Sequence, residues 1–549
     1  MIRIFSGIAA GIVIILLSEI FKKKSCFRAD ISIVIYRSMM IILTAVFAFL
    51  LIYRIEDIPL AYNIDEAGMA YDALNIVNYH TDRHLYHFPV YFVSYGDGQS
   101  ALYTYLAAGL IRLFGYSIVI VRLPAVILSL LSAFVFSRMI HKSYGTKASL
   151  IVMALFCVLP FSIMHSRWGL DCYLFFPMLI ISCAVLFHAV SSSDIRWFVF
   201  SGFAYGLTLY TYAISYMTVP LFLAIVLIYL LIIRKIDLKS LFAMGIPLFL
   251  MAVPLLMLLA VNNGLIGEIR TRFISIPLLP AYRGSDISLK HISDNLRPGQ
   301  NNLFFKLLCY DGYIQNAMPK YGTLYYFSIP VLIYGLIECI RRNLKSFREK
   351  AFSPEIMMVF LFISVFIVSL VIYNPNINRI NSVFVPFIFF IFLGLFEILK
   401  KNRIIFAVAG VIYLITFGLF IHTYFTDFPK ESGSHFLVKS IKDLESALDF
   451  AESVSLNEDS LIYVLDDPKN TIYTVLAKRM DPYTYNETMV RSYDGYIKIV
   501  DRYRFRRDAF LPEYVYIFTS MDVIPDEMDH LGFDKKQFGS MMVYYTEKE

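Results

Sequence analysis

Long uninterrupted apolar runs dominate the pattern of this chain. Ile12–Leu17, Leu221–Ile233, Ile356–Ile372 and Phe384–Leu395 each sit in a stretch close to the ~20 residues that cross a bilayer as a helix. On this pattern helices are predicted at 2–21, 36–53, 122–140, 148–163, 172–190, 197–212, 216–233, 241–260, 323–340, 356–373, 381–399 and 404–424. The fold class that follows is an α-helical multi-pass membrane bundle of about 12 transmembrane helices. The apolar run at 2–21 is followed directly by Lys22, Lys23 and Lys24, without a small-residue cleavage site, and reads as a retained helix and not a signal peptide.

From about residue 425 the pattern changes. Phe436, Leu437, Ile441, Leu444 and Leu448 recur at helical spacing, and Leu461–Leu465, Tyr514–Phe518 and Met541–Tyr545 are short β-prone runs between turn and charged residues. The tail therefore reads as a small α/β domain. Three regions result: 1–35, an extra first helix and its loop; 36–424, the helical domain with long loops 54–121 and 261–322; and 425–549, the α/β domain.

Composition agrees with the bilayer reading. The chain is 58% hydrophobic and 17% charged, against about 25% charged in soluble domains. The net charge of +6 is modest, and its basic residues fall in short clusters between apolar segments, so no nucleic-acid partner is expected. Those clusters set the orientation. The short loops 22–37, 138–147, 191–196, 234–239, 341–353 and 400–403 carry twenty Lys and Arg, whereas loops 164–171, 213–215 and 374–380 carry only Arg167 and Arg379. The first set is expected in the cytoplasm, which puts both long loops and the tail outside. The cysteines lack metal-ligand spacing and read as small hydrophobes.

Candidate chemistry begins in the first long loop. Asp65 and Glu66 follow a spanning helix directly, and adjacent carboxylates there must face water, a cation or a substrate. The plainer reading is a helix N-terminus, where acids are favoured by the dipole. His80, His84 and His87, at i, i+4 and i+7, would line one helical face and suit zinc. Leu85, Phe88 and Pro89 favour a helix end close by, which makes surface histidines the preferred reading. Arg167 and Asp171 have the spacing of a helical ion pair.

The order of short patterns then carries a resemblance. Asp65-Glu66-Ala67 is followed by Phe88-Pro89-Val90, Ala101-Leu102-Tyr103-Thr104-Tyr105-Leu106, Leu113-Phe114-Gly115 and Val121-Arg122-Leu123-Pro124-Ala125. Next come Leu159-Pro160 and Ser166-Arg167-Trp168-Gly169-Leu170-Asp171. The set resembles the membrane glycosyltransferases that include protein O-mannosyltransferases and the bacterial aminoarabinose (lipid A) transferases. It is clearest over 50–235 and continues weakly through Asp311-Gly312, Gly322-Thr323-Leu324-Tyr325 and Asn378-Arg379.

The resemblance implies a GT-C fold and an enzyme that moves a hexose or pentose, with inversion, from a polyprenyl-phosphate or dolichyl-phosphate-like donor. The acceptor, outside the cytoplasm, would be a cell-wall polymer, a glycolipid or a protein. It implies Asp65 as general base, with Glu66 orienting it or binding sugar hydroxyls. Arg167 and Arg379, the basic residues of the short outer loops, are candidates for the lipid phosphate, where negative charge develops, with interfacial snorkelling as the alternative for each. Asp171 is expected in the sugar site. Aminoarabinose transferases tend to carry a basic residue just before the aromatic helix. Here Gly96-Asp97-Gly98-Gln99-Ser100 has none, so Arg83, Arg272 or Arg379 is expected to substitute. Membrane lipids are expected neighbours, and a divalent cation stays open. The alternative from another class is a polytopic transporter or lipid flippase, which would want mid-bilayer ionisable groups and internal repeats.

Overall fold

The computed structural model of the chain describes residues 2–21, 31–60, 62–94, 98–280, 286–299, 302–433, 438–455, 457, 460–464, 469–491, 497–505, 510–519, 528 and 531–546. Gly96, Asp97, Lys22–Lys24, Phe436, Leu437 and Leu465 lie outside them.

In chain order the helices are α1 (Ile2–Ile20), α2 (Ile33–Ile52), α3 (Ile64–Tyr79), α4 (Ala101–Phe114), α5 (Ile118–Tyr144), α6 (Thr146–Val158), α7 (Pro160–His165), α8 (Phe175–Ser192), α9 (Ile195–Leu209), α10 (Ser215–Ile232) and α11 (Leu238–Asn262). They continue with α12 (His291–Leu296), α13 (Leu303–Leu308), α14 (Ser328–Arg348), α15 (Pro354–Val371), α16 (Ile377–Ile380), α17 (Phe384–Lys401) and α18 (Arg403–Thr426). The tail holds α19 (Phe428–Gly433), α20 (Ile441–Val454), α21 (Asn470–Ala477) and α22 (Pro482–Thr488).

Eleven of the twelve expected apolar helices are present with shifted ends and the twelfth is divided, and among the described residues nine helices are long and apolar enough to cross a membrane. The other three fall short for visible reasons. The stretch expected at 148–163 is two helices, α6 and α7, because Leu159 is held extended ahead of Pro160. Helix α9 has only 15 residues. Helix α14 carries Arg341, Arg342, Lys345 and Arg348 near its end and is amphipathic.

The chain divides into two compact units. Unit 1 comprises 1–53, 122–260 and 281–423; unit 2 comprises 54–121, 261–280 and 424–549. Helix α17 forms the heart of unit 1, with every residue from Phe384 to Ile398 buried. Arg342 of α14 reaches Glu355 of α15 and Glu397 of α17, tying three helices together at one end.

In unit 2 the tail builds a seven-stranded sheet from β5 to β11. The first four strands form two small hairpins, β1 (Tyr91–Phe92) with β2 (Gln99–Ser100) and β3 (Ile269–Arg270) with β4 (Ser275–Ile276). The sheet strands are β5 (Ile462–Val464), β6 (Val490–Arg491), β7 (Ile497–Val500), β8 (Tyr503–Arg504), β9 (Val515–Phe518), β10 (Asp534–Phe538) and β11 (Met541–Tyr545), in the order β10-β11-β9-β5-β8-β7-β6. Only β5 pairs in parallel, with β8 and β9. Tyr463, Tyr516, Phe518, Met528 and Tyr544 pack as one aromatic-rich cluster. The three expected strands correspond to β5, β9 and β11. Strand β10 escaped notice because Asp534, Lys535, Lys536 and Gln537 are exposed on a sheet edge, where charge blocks further pairing.

Candidate active site

Helix α3 presents the acidic pair. Asn63 stands at its N-cap in extended conformation, and its side-chain oxygen accepts the Asp65 N–H at 2.9 Å. The preference of asparagine for that position and of acids for the first turn makes this start local in origin. Asp65 is half-buried, and Glu66 is fully buried. Gln99 of β2 donates to the Asp65 carbonyl at 3.1 Å, which fastens the first turn to the β1–β2 hairpin. Tyr62 and Tyr116 hydroxyls meet at 3.3 Å beside it. Burial pushes the Tyr116 phenol up to about 12, and the negative charge of Glu66 adds to that rise.

Two turns beyond Asp65, Asp72 is buried and paired with Arg83. The guanidinium donates through Nε at 3.1 Å to Oδ1 and through Nη2 at 2.8 Å to Oδ2, while the Arg83 N–H reaches Oδ1 at 3.0 Å. The same guanidinium lies against the helix at Gly68, where a Cβ would come within 2.8 Å of Nη2. Arg83 is thus buried as a partner of α3, with its charge committed to Asp72. Asp82 is buried next to this pair. Its Oδ1 accepts the N–H groups of His84 and Tyr86, both at 2.9 Å, while Oδ2 has no partner among the described residues. Burial pushes the Asp82 carboxyl up to about 7, with Asp72 contributing, and pushes the His84 imidazole down to about 3.

The tail closes over the far side of α3. Tyr473 of α21 donates to the Tyr62 carbonyl at 3.1 Å, and Tyr71 donates to the Met480 carbonyl at 2.8 Å. Tyr485 of α22 sits edge-on to Tyr71 and to His84, and Asn486 donates to the Arg83 carbonyl at 2.7 Å. The segment 261–280 joins the same unit through Tyr86, whose hydroxyl donates to Glu268 at 2.8 Å under the Arg270 guanidinium. Arg272 is exposed in the turn between β3 and β4.

The zinc face does not form. Helix α3 ends at Tyr79, His80 takes the left-handed conformation of a helix stop, and the chain beyond it turns. His84 is half-buried against Tyr485, whereas His87 lies by the His80 carbonyl. Among the described residues no three His, Cys, Asp or Glu side chains group for a metal.

In unit 1, Arg167 is fully buried, and its two terminal nitrogens donate to the carbonyls of Leu50 and Tyr53. These are carbonyls at the end of α2, which have no helical partner. Trp168 is buried beside it, with Arg122 at 5.7 Å from its ring. Asp171 begins a 3₁₀ turn, and its Oδ1 accepts the Cys172 N–H at 2.7 Å. The next residues connect it to later segments: Tyr173 donates to Asn316 Oδ1 at 2.8 Å with Asn378 Oδ1 at 3.1 Å, and Asn381 donates to the Cys172 carbonyl. Asn316 in turn donates to Asp311 at 2.7 Å. Arg379 donates to the Tyr373 carbonyl at 2.8 Å and lies 3.5 Å from Asp286.

The structure therefore brings the Asp171 turn and the Asn378–Arg379 turn into one polar cluster, and places Arg83, beyond the end of α3, against the helix that carries the acidic pair. Sequence reasoning did not single out Lys306, Asn316, Asn374, Tyr473 or Tyr485. Lys306, a lone lysine in an apolar hexapeptide, is the one with a readable signal.

Residues 99–258 match the family model described as dolichyl-phosphate-mannose-protein mannosyltransferase. No curated protein matches the chain. Among solved structures, ArnT from Cupriavidus metallidurans in the apo state is similar with a TM-score of 0.56 and 13% identity, over 92% of this chain and 98% of that one. ArnT from the same organism bound to undecaprenyl phosphate gives a TM-score of 0.51 and 12% identity, over 93% and 97%. The chain has the GT-C type membrane fold of that protein, and the resemblance drawn from its short patterns stands.

Proposed function

We propose that this protein is an inverting glycosyltransferase that moves a sugar from a polyprenyl-phosphate donor to an acceptor on the outer side of the membrane. The observation that carries the reading is the first turn of α3, where Asp65 and Glu66 sit on a capped, buttressed helix start within an ArnT-like fold. The match of residues 99–258 to a mannosyltransferase family and the undecaprenyl phosphate bound to ArnT support the lipid-phosphate donor. The twenty Lys and Arg of one loop set support the outward orientation.

An acceptor hydroxyl is a weak nucleophile at neutral pH, and a carboxylate within hydrogen-bond reach takes its proton as the new bond forms. Asp65, half-buried at the exposed rim of the turn, is suited to that exchange. Glu66, fully buried beside Tyr116, is suited to orientation. The lipid phosphate leaves carrying the electron pair of the broken bond and needs a cation. Arg83 is committed to Asp72, whereas Arg272 is exposed and available for an anion.

The test is transfer in vesicles by wild type and Asp65→Asn, offered labelled polyprenyl-phosphate sugars and an envelope extract. Label leaving the carrier with wild type alone is expected. Equal transfer by both proteins would remove Asp65 from the reaction. A wild type that transports label across the membrane without breaking the carrier bond would favour a flippase.

A further inference from the structure

A cavity of about 1110 Å³ in unit 1 is lined by Arg3, Lys306, Asp311, Tyr313, Asn374 and Asn376 among others. Lys306 is its most informative residue. It is 6% exposed, and its ammonium has one described hydrogen bond, at 2.6 Å to the neutral amide oxygen of Asn374. Among the described residues no carboxylate lies within ion-pair distance of it. Burying an ammonium on a neutral partner is costly, and the cost is offset when an anion comes to it. Asp311 also lines the cavity, but its oxygens already accept the N–H groups of Tyr313, Asn316 and Ile377.

The second cation comes from the first helix. Gly7 and Gly11 of α1 lie directly against the start of α14: a Cβ at Gly7 would fall 2.6 Å from Tyr326 Cβ, and one at Gly11 2.3 Å from the Phe327 carbonyl. Small residues four apart let two membrane helices touch backbone to backbone. This docking fixes the register of α1 and puts Arg3 on the wall of the cavity. Arg3 and Lys306 outnumber the one carboxylate, Asp311, among the described lining side chains, an excess of positive charge. That excess suits an anion, and a phosphodiester is one.

The surroundings point to a lipid. Ile4, Phe305 and Pro319 share the wall with the polar groups, and α1 and α14 expose Phe5, Ile333 and Ile337 nearby along their lengths. We propose that this cavity binds the phosphodiester headgroup of a membrane lipid, with Lys306 and Arg3 on the phosphate and the acyl or prenyl chain along the helices. The first helix is then a clamp that completes the site. The site goes beyond the transfer reaction, because binding needs no sugar to move.

Native mass spectrometry of the purified full-length protein in detergent, with added phosphatidylglycerol, a polyprenyl-phosphate sugar, water-soluble glycerophosphoglycerol or diacylglycerol, tests this. Wild type is expected to retain a lipid phosphodiester. Arg3→Gln and Lys306→Met are each expected to weaken retention about tenfold, the scale of a lost charge-assisted hydrogen bond. Lys306→Arg keeps the charge and is expected to restore most of it, which separates binding from misfolding. Preference for one of the two lipids names the source. The proposal is overturned if neither is retained, if the charge-removing variants bind like wild type, or if diacylglycerol or glycerophosphoglycerol competes equally. Since no turnover is read, its failure leaves the transfer reaction standing.

Discussion

Helices α1 and α3 invert one another. Helix α1 is almost wholly apolar, yet Phe5 is 63% exposed and Ile20 71%, and its fully buried side chain is Ser18. Helix α3 carries Asp65, Glu66, Asp72 and Asn75, yet every residue from Glu66 to Ile76 is buried. For α1, a helix of membrane-spanning length, the pattern in a water-soluble protein would be the reverse. Lipid is as apolar as leucine, so an apolar face gains little by turning inward, and what draws membrane helices together is close packing and polar partnership. Helix α1 docks through Gly7 and Gly11, whereas α3 is held by Asn63, Arg83 and the tail. In this molecule burial follows the partners available to a residue more than its hydropathy.

The comparison can be broken most severely at the start of α3. Glu66→Gln keeps the shape of a fully buried side chain and removes its charge. Sugar transfer is expected to fall by about 10²–10⁴-fold, the range of a lost acid–base or orienting group, with an unchanged thermal melt. A melt that collapses with activity would make Glu66 structural.

Next in size is the polar anchoring of α3. Arg83→Met leaves Asp72 buried without its cation and is expected to cost about 3–5 kcal/mol, seen as early proteolysis within 54–121. Adding Asp72→Asn is expected to recover part of that loss. If the double variant is no better than the single, the ion pair is not what Arg83 contributes.

Helix α1 offers the matching test on the apolar side. Gly11→Leu meets the Phe327 carbonyl and is expected to weaken the docking of α1 on α14 by about 1–3 kcal/mol. Cysteine cross-linking between the two helices would report it. Ile12→Leu, at a partly exposed position, is expected to leave the yield unchanged. Equal yields for both variants would mean that the glycines do not set the contact.

The smallest effect concerns pH. The folded state holds the Asp82 carboxyl up to about 7, above its ordinary value of 3.8, so its contribution is full below that ordinary value and is lost progressively as pH rises from there through about 7. His84, held down to about 3, works oppositely and opposes folding once pH falls below its ordinary value of about 6.5. Asp82→Asn retains the acceptor for His84 and Tyr86 and is expected to raise stability at pH 8 by on the order of 1 kcal/mol more than at pH 5. Melting curves of both proteins at the two pH values decide it, and a variant that differs from wild type by the same amount at both would remove the titration.

Much was legible in the sequence for reasons that are local. Apolar runs of bilayer length, a helix N-terminus at Asp65 and Glu66, and the three apolar strands of the tail each follow from neighbours a few residues apart. The histidine face failed for a local reason too: the helix stop at His80 interrupts the spacing on which it depended. The seams between helices were harder, since Leu159-Pro160 splits one expected span and four basic residues make α14 amphipathic.

The sequence by itself determined a multi-pass membrane bundle, a helix that starts on an acidic pair, and a β-containing tail. The tertiary structure alone decided that Tyr473, Tyr485 and Asn486 buttress a helix some four hundred residues earlier in the chain. It alone directed Arg167 to the end of α2 and brought Arg3 and Lys306 to one cavity. Helix starts and apolar lengths are written in short windows, because backbone geometry sets them within a turn or two. The partner of a buried charge is set by which segments pack together, and no short window contains both members of such a pair.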